Sequence, residues 1–175
     1  MRLLSTFLLA IATAAGADQP EQALVTYEAQ VGGGQISGVS HSLEWSATAL
    51  TPQSAQIRLR VPIDSFDSGH ADFDSQLRAA VDSARYPAVE VQGVARQDRF
   101  EGTISLHGVT RPFAVHVDVA RADDRVIAST SFQIDLSEFG VSLPSAGRTI
   151  SVDFVARLTA SPQAVVSGGI LSWSN

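Results

Sequence analysis

Four histidines are the residues of this chain with the widest chemical repertoire, and their spacing argues against a catalytic or metal site. His41, His70, His107 and His116 lie far apart in sequence, and no two form the H-x-x-x-H pattern that brings two imidazoles to one metal ion. No G-x-S-x-G pattern marks a nucleophilic serine. The glycine run at residues 32–34 lacks the lysine and the helix start of a phosphate-binding loop. The sequence therefore predicts no catalytic residue, no metal and no cofactor.

A second group of polar side chains lies in residues 64–78, between a predicted strand and a predicted helix. Asp74 and Arg78 are four residues apart, so they would lie on one side of a helix. Two interpretations are open: a surface ion pair that stabilises the helix by about 0.2–0.5 kcal/mol, or contacts to the polar head group of a ligand. His41, near Trp45, is a third head-group candidate, with an exposed strand position as its alternative.

The remaining histidines lie in residues 100–119, where apolar and polar residues alternate strictly on both sides of a break. Gly108 can take a positive φ, and Pro112 has no N–H for a ladder, so it belongs at a strand start. The pattern predicts a long antiparallel hairpin with one apolar face. His107, at the turn, is expected to make a hydrogen bond that closes it, with a ligand contact as the alternative. His116 is expected to point to solvent.

The same alternation indicates the strands that would position these groups. Eight strands are predicted, with turn signals between most neighbours. They cover residues 25–31, 36–49 (one bent strand or two short ones), 55–61, 88–95, 100–107, 112–119, 126–136 and 149–160.

One segment has a different period. Residues 72–84 place Phe73, Leu77 and Ala80 at helical spacing, and Pro87 follows as a residue that cannot continue a helix. The sequence predicts a mainly β, antiparallel protein with one helix at about residues 72–84. Eight such strands can form a sandwich or a closed barrel, and a barrel of this size can have a packed core or hold one small ligand.

The N-terminus predicts export. Arg2 precedes an uncharged, mostly apolar run at residues 3–14, and residues 15–17 read Ala-Gly-Ala, as in a signal-peptide cleavage site. The apolar run is too short to span a bilayer. We expect cleavage after Ala17, with an uncleaved anchor as the alternative. The domains are then residues 1–17 as the signal peptide, 18–160 as the β domain and 161–175 as a C-terminal tail, in a periplasmic or secreted protein with no transmembrane span after cleavage.

The composition of the chain limits the classes of molecule that it could bind. The chain has 175 residues, a formal net charge of −6 and no cysteine. A negative chain without a basic stripe predicts no nucleic-acid partner, and disulfides and thiolate metal sites are excluded. The irregular apolar tail could cover an edge strand or contact another envelope protein. A homodimer is an open alternative to a monomer.

Several motifs resemble those of the YceI-like family. Residues 102–113, G-T-I-S-L-H-G-V-T-R-P-F, are similar to that family's L-x-L-H-G-V-T-(K/R)-P signature. Residues 63–69, 74–78, 86–87 and 138–141 resemble further family segments in the right order. The resemblance covers about residues 24 to 160. It implies an eight-stranded, lipocalin-like antiparallel β-barrel that holds a long amphiphile, such as a polyisoprenoid, a quinone-like molecule or a fatty lipid.

The chain departs from the family at the helix start, where Phe73 and Gln76 stand in place of an arginine and a histidine. The ligand-binding residues are therefore predicted from the inward-facing positions. They are Ile57, Leu59, Val61, Phe73, Leu77, Val89, Val91, Ile104, Leu106, Phe113, Val115, Phe132, Ile134, Val152 and Phe154. The predicted function is lipid binding without catalysis; an envelope interaction or stress module with a filled barrel is the alternative.

Overall fold

A computed structural model describes residues 22–51, 54–122 and 125–159. It contains ten strands, one α-helix and two short 3-10 turns. The strands are β1 (Gln22–Val31), β2 (Gly34–Ser40), β3 (Glu44–Thr51), β4 (Ser54–Pro62), β5 (Ala88–Arg96), β6 (Arg99–Leu106), β7 (Val109–His116), β8 (Asp118–Ala122), β9 (Arg125–Asp135) and β10 (Ala146–Thr159). The helix α1 spans Ala71–Ala80, and the 3-10 turns are Ile63–Ser65 and Leu136–Phe139. The predicted signal peptide and the tail lie outside the described residues.

The strands form two five-stranded antiparallel sheets. The first has the order β2-β1-β10-β9-β8, and the second has the order β3-β4-β5-β6-β7. The prediction of a mainly β, antiparallel protein with one helix is therefore confirmed. The prediction of a single closed barrel of eight strands is wrong, because hydrogen bonding within the described residues gives ten strands in two separate sheets.

The structure has two more strands than predicted because the chain turns two corners. At each corner it passes from one sheet to the other while apolar and polar residues continue to alternate. The run predicted at residues 36–49 divides at residues 41–43 into β2 and β3, which belong to different sheets. The run predicted at residues 112–119 divides at Val117 into β7 and β8. At this point the Val117 N–H donates to the Asp98 carbonyl oxygen (2.7 Å), outside the strand ladders. Strands that bend in this way make the corners between packed sheets.

The helix α1 lies in the connection between β4 and β5. Asp72 and Asp74 in its first turn and Arg78 in its last turn suit the helix dipole. The helix ends at Ala80, because the chain turns at residues 81–85 and Asp82 has a positive φ of 49°. The prediction of a helix near residues 72–84 is confirmed, although its last residues form a turn.

The core lies between the sheets, towards α1 and the second 3-10 turn. Aromatic contacts join the two sheets directly: the Phe113 ring meets the Phe132 ring edge to face, with centroids 4.8 Å apart. The part of the core nearest α1 is fully packed, and we call it the closed end. It comprises Ile63, Phe66, Phe73, Leu106, Leu136 and Phe139, all at most 9% exposed.

Candidate ligand-binding surface

A continuous apolar surface faces inward on both sheets beyond the closed end. Its side chains are half-buried, in contrast to the buried residues of the closed end. We call it the lining surface, and define it as Ile57, Leu59, Val91, Phe113, Phe132 and Phe154. When another apolar molecule covers apolar side chains that the fold leaves partly exposed, the free energy falls.

Strand pairing explains why this surface is continuous. In the second sheet, Leu59 lies between Trp45 and Val91 on the neighbouring strands. The next row reads Ala47, Ile57, Gly93, Gly102 and Phe113 across the five strands. This row is built mostly from small residues, so the inner wall recedes there. Trp45 was not among the predicted ligand-binding residues, although its place on the same face as Ala47 was visible in the alternation.

The glycine pair in that row shapes the wall. A β-carbon on Gly93 would overlap the Glu101 carbonyl oxygen and would lie 2.6 Å from the Gly102 α-carbon. The strands therefore approach too closely for any side chain at this point. Glycine at such a position permits a sharp bend of the sheet.

The fifteen predicted ligand-binding residues separate into two groups by burial. Six are core residues that other side chains already cover: Val61, Phe73, Ile104, Leu106, Ile134 and Val152. Nine are half-buried: Ile57, Leu59, Leu77, Val89, Val91, Phe113, Val115, Phe132 and Phe154. Of the half-buried group, Leu77, Val89, Val91, Phe113, Phe132 and Phe154 pack against the core, and all nine have surface left to cover.

Tyr27, on the inward face of β1, is a polar side chain of this interior that the sequence does not predict as part of a site. Its residue is 5% exposed, and its ring packs edge to face on Phe66 and stacked on Phe73, with centroids 5.4 and 6.4 Å away. A β-carbon on Gly38 would overlap this ring, so a glycine opposite Tyr27 makes room for it. Among the described residues, no group forms a hydrogen bond with the hydroxyl.

The surroundings of this hydroxyl are acidic. Burial, followed by the nearby Asp74 and then Asp67, raises the pKa of Tyr27 to about 12, while Ser68 and Arg78 oppose part of the rise. The Ser68 side chain is near enough to lower the pKa of Tyr27 as a hydrogen-bond donor would, but its position falls short of a formed hydrogen bond with the tyrosine. The Tyr27 hydroxyl therefore stays protonated and remains a donor through the whole physiological range of pH.

The three predicted head-group candidates have different positions. The Asp74 carboxylate is buried (the residue is 6% exposed) and accepts hydrogen bonds from the Ser68 hydroxyl (2.7 Å) and the Ser68 N–H (3.2 Å). Arg78 forms an ion pair with Asp64 across 3.7 Å. His41 is exposed in the connection between β2 and β3. Asp74 and Arg78 thus lie near Tyr27, whereas His41 lies at a corner between the sheets.

His107 fastens the hairpin turn to the second 3-10 turn. Its Nδ1 lies 3.1 Å from the Phe139 carbonyl oxygen, and since a carbonyl only accepts, the ring nitrogen donates. Its ring also meets Tyr86 edge to face, with centroids 5.3 Å apart. The predicted hydrogen bond of His107 exists, but it joins two segments across the closed end instead of closing its own turn.

Other polar groups hold the same 3-10 turn. The Arg111 guanidinium donates to the Glu138 carbonyl oxygen (2.9 Å). The Asp135 carboxylate accepts from the Ser137 hydroxyl and N–H and from Arg148 (3.0 Å), and these three donors lower its pKa.

His116 is exposed, as predicted, and contacts Asp118 and Asp98 at 3.2 and 3.6 Å. In the described part of the chain, no three histidine, aspartate or glutamate side chains are placed to hold a metal ion. Within the same residues, no helix is both long enough and apolar enough to cross a membrane.

These observations define a class of protein. It is a two-sheet antiparallel β protein with an apolar inner surface and a helix over one end. The YceI-like domain matches residues 19–158, and the chain belongs to this family. A relative from Azotobacter vinelandii (strain DJ), a UPF0312 protein, is 33% identical over 79 residues. That alignment covers 41% of this chain and 41% of the relative's length.

Solved structures share the fold at low sequence identity. BcnA of Burkholderia cenocepacia aligns with a TM-score of 0.64 at 17% identity, over 78% of this chain and 96% of its own. A polyisoprenoid-binding domain from Saccharophagus degradans, implicated in plant cell wall breakdown, aligns with a TM-score of 0.63 at 17% identity, over 79% and 94%. The Campylobacter jejuni YCEI protein has a TM-score of 0.58 at 14% identity, over 71% and 84%.

Proposed function

We propose that this protein binds a long apolar amphiphile, such as a polyisoprenoid, a quinone-like molecule or another lipid, along the lining surface between its two sheets. The observation that carries the proposal is the half-burial of inward-facing apolar residues in a domain whose closed end is fully packed. Family membership and the polyisoprenoid-binding domain among its structural neighbours support the same ligand class. We propose a binding role without catalysis.

The energetics favour a chain-like ligand over a compact one. Each methylene group that leaves water contributes about 0.8 kcal/mol, so a prenyl or acyl chain gains in proportion to the length that the surface covers. The lining surface presents side chains from β4, β5, β7, β9 and β10, and therefore from both sheets. A ligand that covers them all must extend across the interior.

Native mass spectrometry tests the proposal. The full chain is expressed with its N-terminus intact, purified without detergent and measured before and after organic extraction. We expect an adduct whose mass matches a prenyl lipid or a quinone and which extraction removes. An unliganded mass that also shows no uptake after incubation with geranylgeraniol or a menaquinone would contradict lipid binding and favour the filled interaction module.

Two adjacent residues of β4 provide matched variants. Ile57 faces the interior and Arg58 faces outward in the same strand. Ile57→Gln places an amide against the apolar chain and is expected to lower lipid occupancy about tenfold. Arg58→Gln introduces the same side chain on the outer face and is expected to leave occupancy unchanged. Equal occupancy in both variants would move the ligand away from this strand.

We also propose that the protein acts in the periplasm or outside the cell after cleavage behind Ala17. The support is the pattern of a charged start, an apolar run and small residues at the cleavage site. The intact mass of protein recovered from the periplasm is expected to correspond to a chain that begins at Asp18. A mass that includes Met1, or recovery in the membrane fraction, would contradict cleavage.

A further inference from the structure

Tyr27 combines two properties that are costly together in a protein interior. Its residue is 5% exposed, and its hydroxyl has no hydrogen-bond partner among the described residues. Leaving a buried hydroxyl unpaired costs free energy that a phenylalanine at the same position would not cost. An unpaired buried donor of this kind points to a ligand group that satisfies it.

The segment that covers Tyr27 carries a net negative charge. Residues 63–85 contain five aspartates and two arginines. One of these arginines, Arg78, already forms an ion pair with Asp64 across 3.7 Å. The Asp74 carboxylate is buried close to the tyrosine. An anionic head group such as a diphosphate would meet repulsion here, whereas an uncharged oxygen would only accept the available hydrogen bond.

We propose that Tyr27 donates a hydrogen bond to an uncharged acceptor oxygen, of an ether, an alcohol or a carbonyl, on the head of the bound amphiphile. This inference rests on the proposed function and specifies the end of the ligand that lies under α1. The apolar chain then extends from the closed end along the lining surface. Selection against anionic heads follows from Asp74 and Asp67 beside the hydroxyl.

Access to the hydroxyl requires the covering segment to shift. Phe66 and Phe73 pack on the ring of Tyr27, and both belong to that segment. Polar contacts also hold this segment: the Ser145 hydroxyl donates to Gln76 across 2.9 Å, the Ser68 hydroxyl donates to Asp74 across 2.7 Å, and Asp67 exchanges two backbone hydrogen bonds with Val39. A head group that reaches the hydroxyl from the interior therefore has to displace Phe66 or Phe73.

The two tyrosines of the chain make a matched pair of variants. Tyr27→Phe removes the buried hydroxyl, and Tyr86→Phe removes the hydroxyl of the tyrosine beside the hairpin turn. Each variant and the wild type are titrated with three probes that share one prenyl chain: geranylgeranyl methyl ether, geranylgeranyl diphosphate and the hydrocarbon without a head group. Thermal unfolding of the unliganded proteins is recorded in parallel.

We expect the wild type and Tyr86→Phe to bind the ether about fivefold more tightly than the hydrocarbon, the effect of one net hydrogen bond. Tyr27→Phe is expected to bind both equally and to melt about 2 to 4 °C higher without ligand, because an unpaired buried hydroxyl has been removed. The diphosphate is expected to bind more weakly than the ether to all three proteins.

Each contrary result has a distinct meaning. If Tyr27→Phe prefers the ether to the hydrocarbon as strongly as the wild type does, the proposed role of the hydroxyl is overturned. The proposal of lipid binding would be unaffected. Tightest binding of the diphosphate would overturn the preference for an uncharged head. Failure of all three probes to bind the wild type would overturn the proposed function itself and this inference with it.

Discussion

The closed end and the lining surface use the same residue types but differ in how completely they are covered. Both contain aromatic and branched aliphatic side chains. At the closed end most of these side chains come from α1, the two 3-10 turns and the loop at Phe66, and they form part of one buried cluster in which each is at most 9% exposed. On the lining surface all of them come from strands, and they are half-buried. The comparison shows that coverage, more than composition, separates core from candidate site.

Truncating one residue in each region gives the largest expected difference. Phe73→Ala removes a buried ring that α1 inserts into the core, and we expect it to lower the free energy of unfolding by about 3–5 kcal/mol. Leu59→Ala removes a half-buried side chain and is expected to cost the unliganded protein less than about 2 kcal/mol. Urea denaturation measures both. Equal losses would show that the two regions are packed alike.

Alkaline unfolding reports on the closed end through Tyr27. The chain has no lysine and no cysteine whose titration would overlap with that of Tyr27. The pKa of Tyr27 rises from 10.0 to about 12 on folding. The unfolded state therefore loses this proton first, and stability that is present below pH 10 falls as the pH rises through 12, by a total on the order of 3 kcal/mol.

The matched tyrosine variants isolate that effect. Urea midpoints are compared at pH 9 and pH 12, because most of the loss falls between these two values. Tyr86→Phe is expected to keep the loss, and Tyr27→Phe is expected to lack it. A loss that persists in Tyr27→Phe would assign the alkaline sensitivity to another group.

The glycine pair tests whether the lining surface depends on backbone shape. Gly93→Ala places a β-carbon against the backbone of β6, and we expect a loss of about 1–3 kcal/mol. Gly147→Ala, in β10, is the control, because its β-carbon would lie 3.9 Å from the nearest atom, the Gln30 carbonyl oxygen. A neutral Gly93→Ala, measured by thermal unfolding, would mean that the strands can separate at this point.

The smallest expected effect concerns Asp135, which caps the 3-10 turn at the closed end. The Ser137 hydroxyl and N–H, and then Arg148, lower the pKa of this carboxyl from its usual 3.8. The stabilisation is therefore present above the unfolded pKa and is lost as the pH falls through the lower, folded value. Asp135→Asn is expected to melt slightly below the wild type at pH 7 and to match it in strong acid. A constant difference at all pH values would contradict this linkage.

Alternation along the strands predicted the two faces well. In β4, Ile57, Leu59 and Val61 face inward while Arg58 and Arg60 face outward, as expected from period-two patterning. Alternation could not reveal the two corners, because it shows which face a residue occupies and not which strand it pairs with. The apolar pattern continues through Val117, although the chain changes sheets there.

The interior of the candidate site was predictable, but its polar end was not. Inward positions such as Leu59 and Phe113 followed from the pattern, and their ligand contacts remain a prediction. The environment of Tyr27 depends on Phe66, Phe73 and Asp74, about forty residues away in sequence. Only the folded chain brings these groups together, so no local pattern could have indicated a buried, unpaired hydroxyl.

Photo-crosslinking with a diazirine-bearing geranylgeranyl probe tests the central claim most directly, because it reports where the apolar chain lies. We predict that mass spectrometry of the digested adduct will place crosslinks on the lining surface, at Ile57, Leu59 and Val91, and that geranylgeraniol will compete them away. Crosslinks confined to outward residues such as Arg58 and Gln92, or crosslinks that do not respond to the competitor, would contradict a ligand held between the sheets.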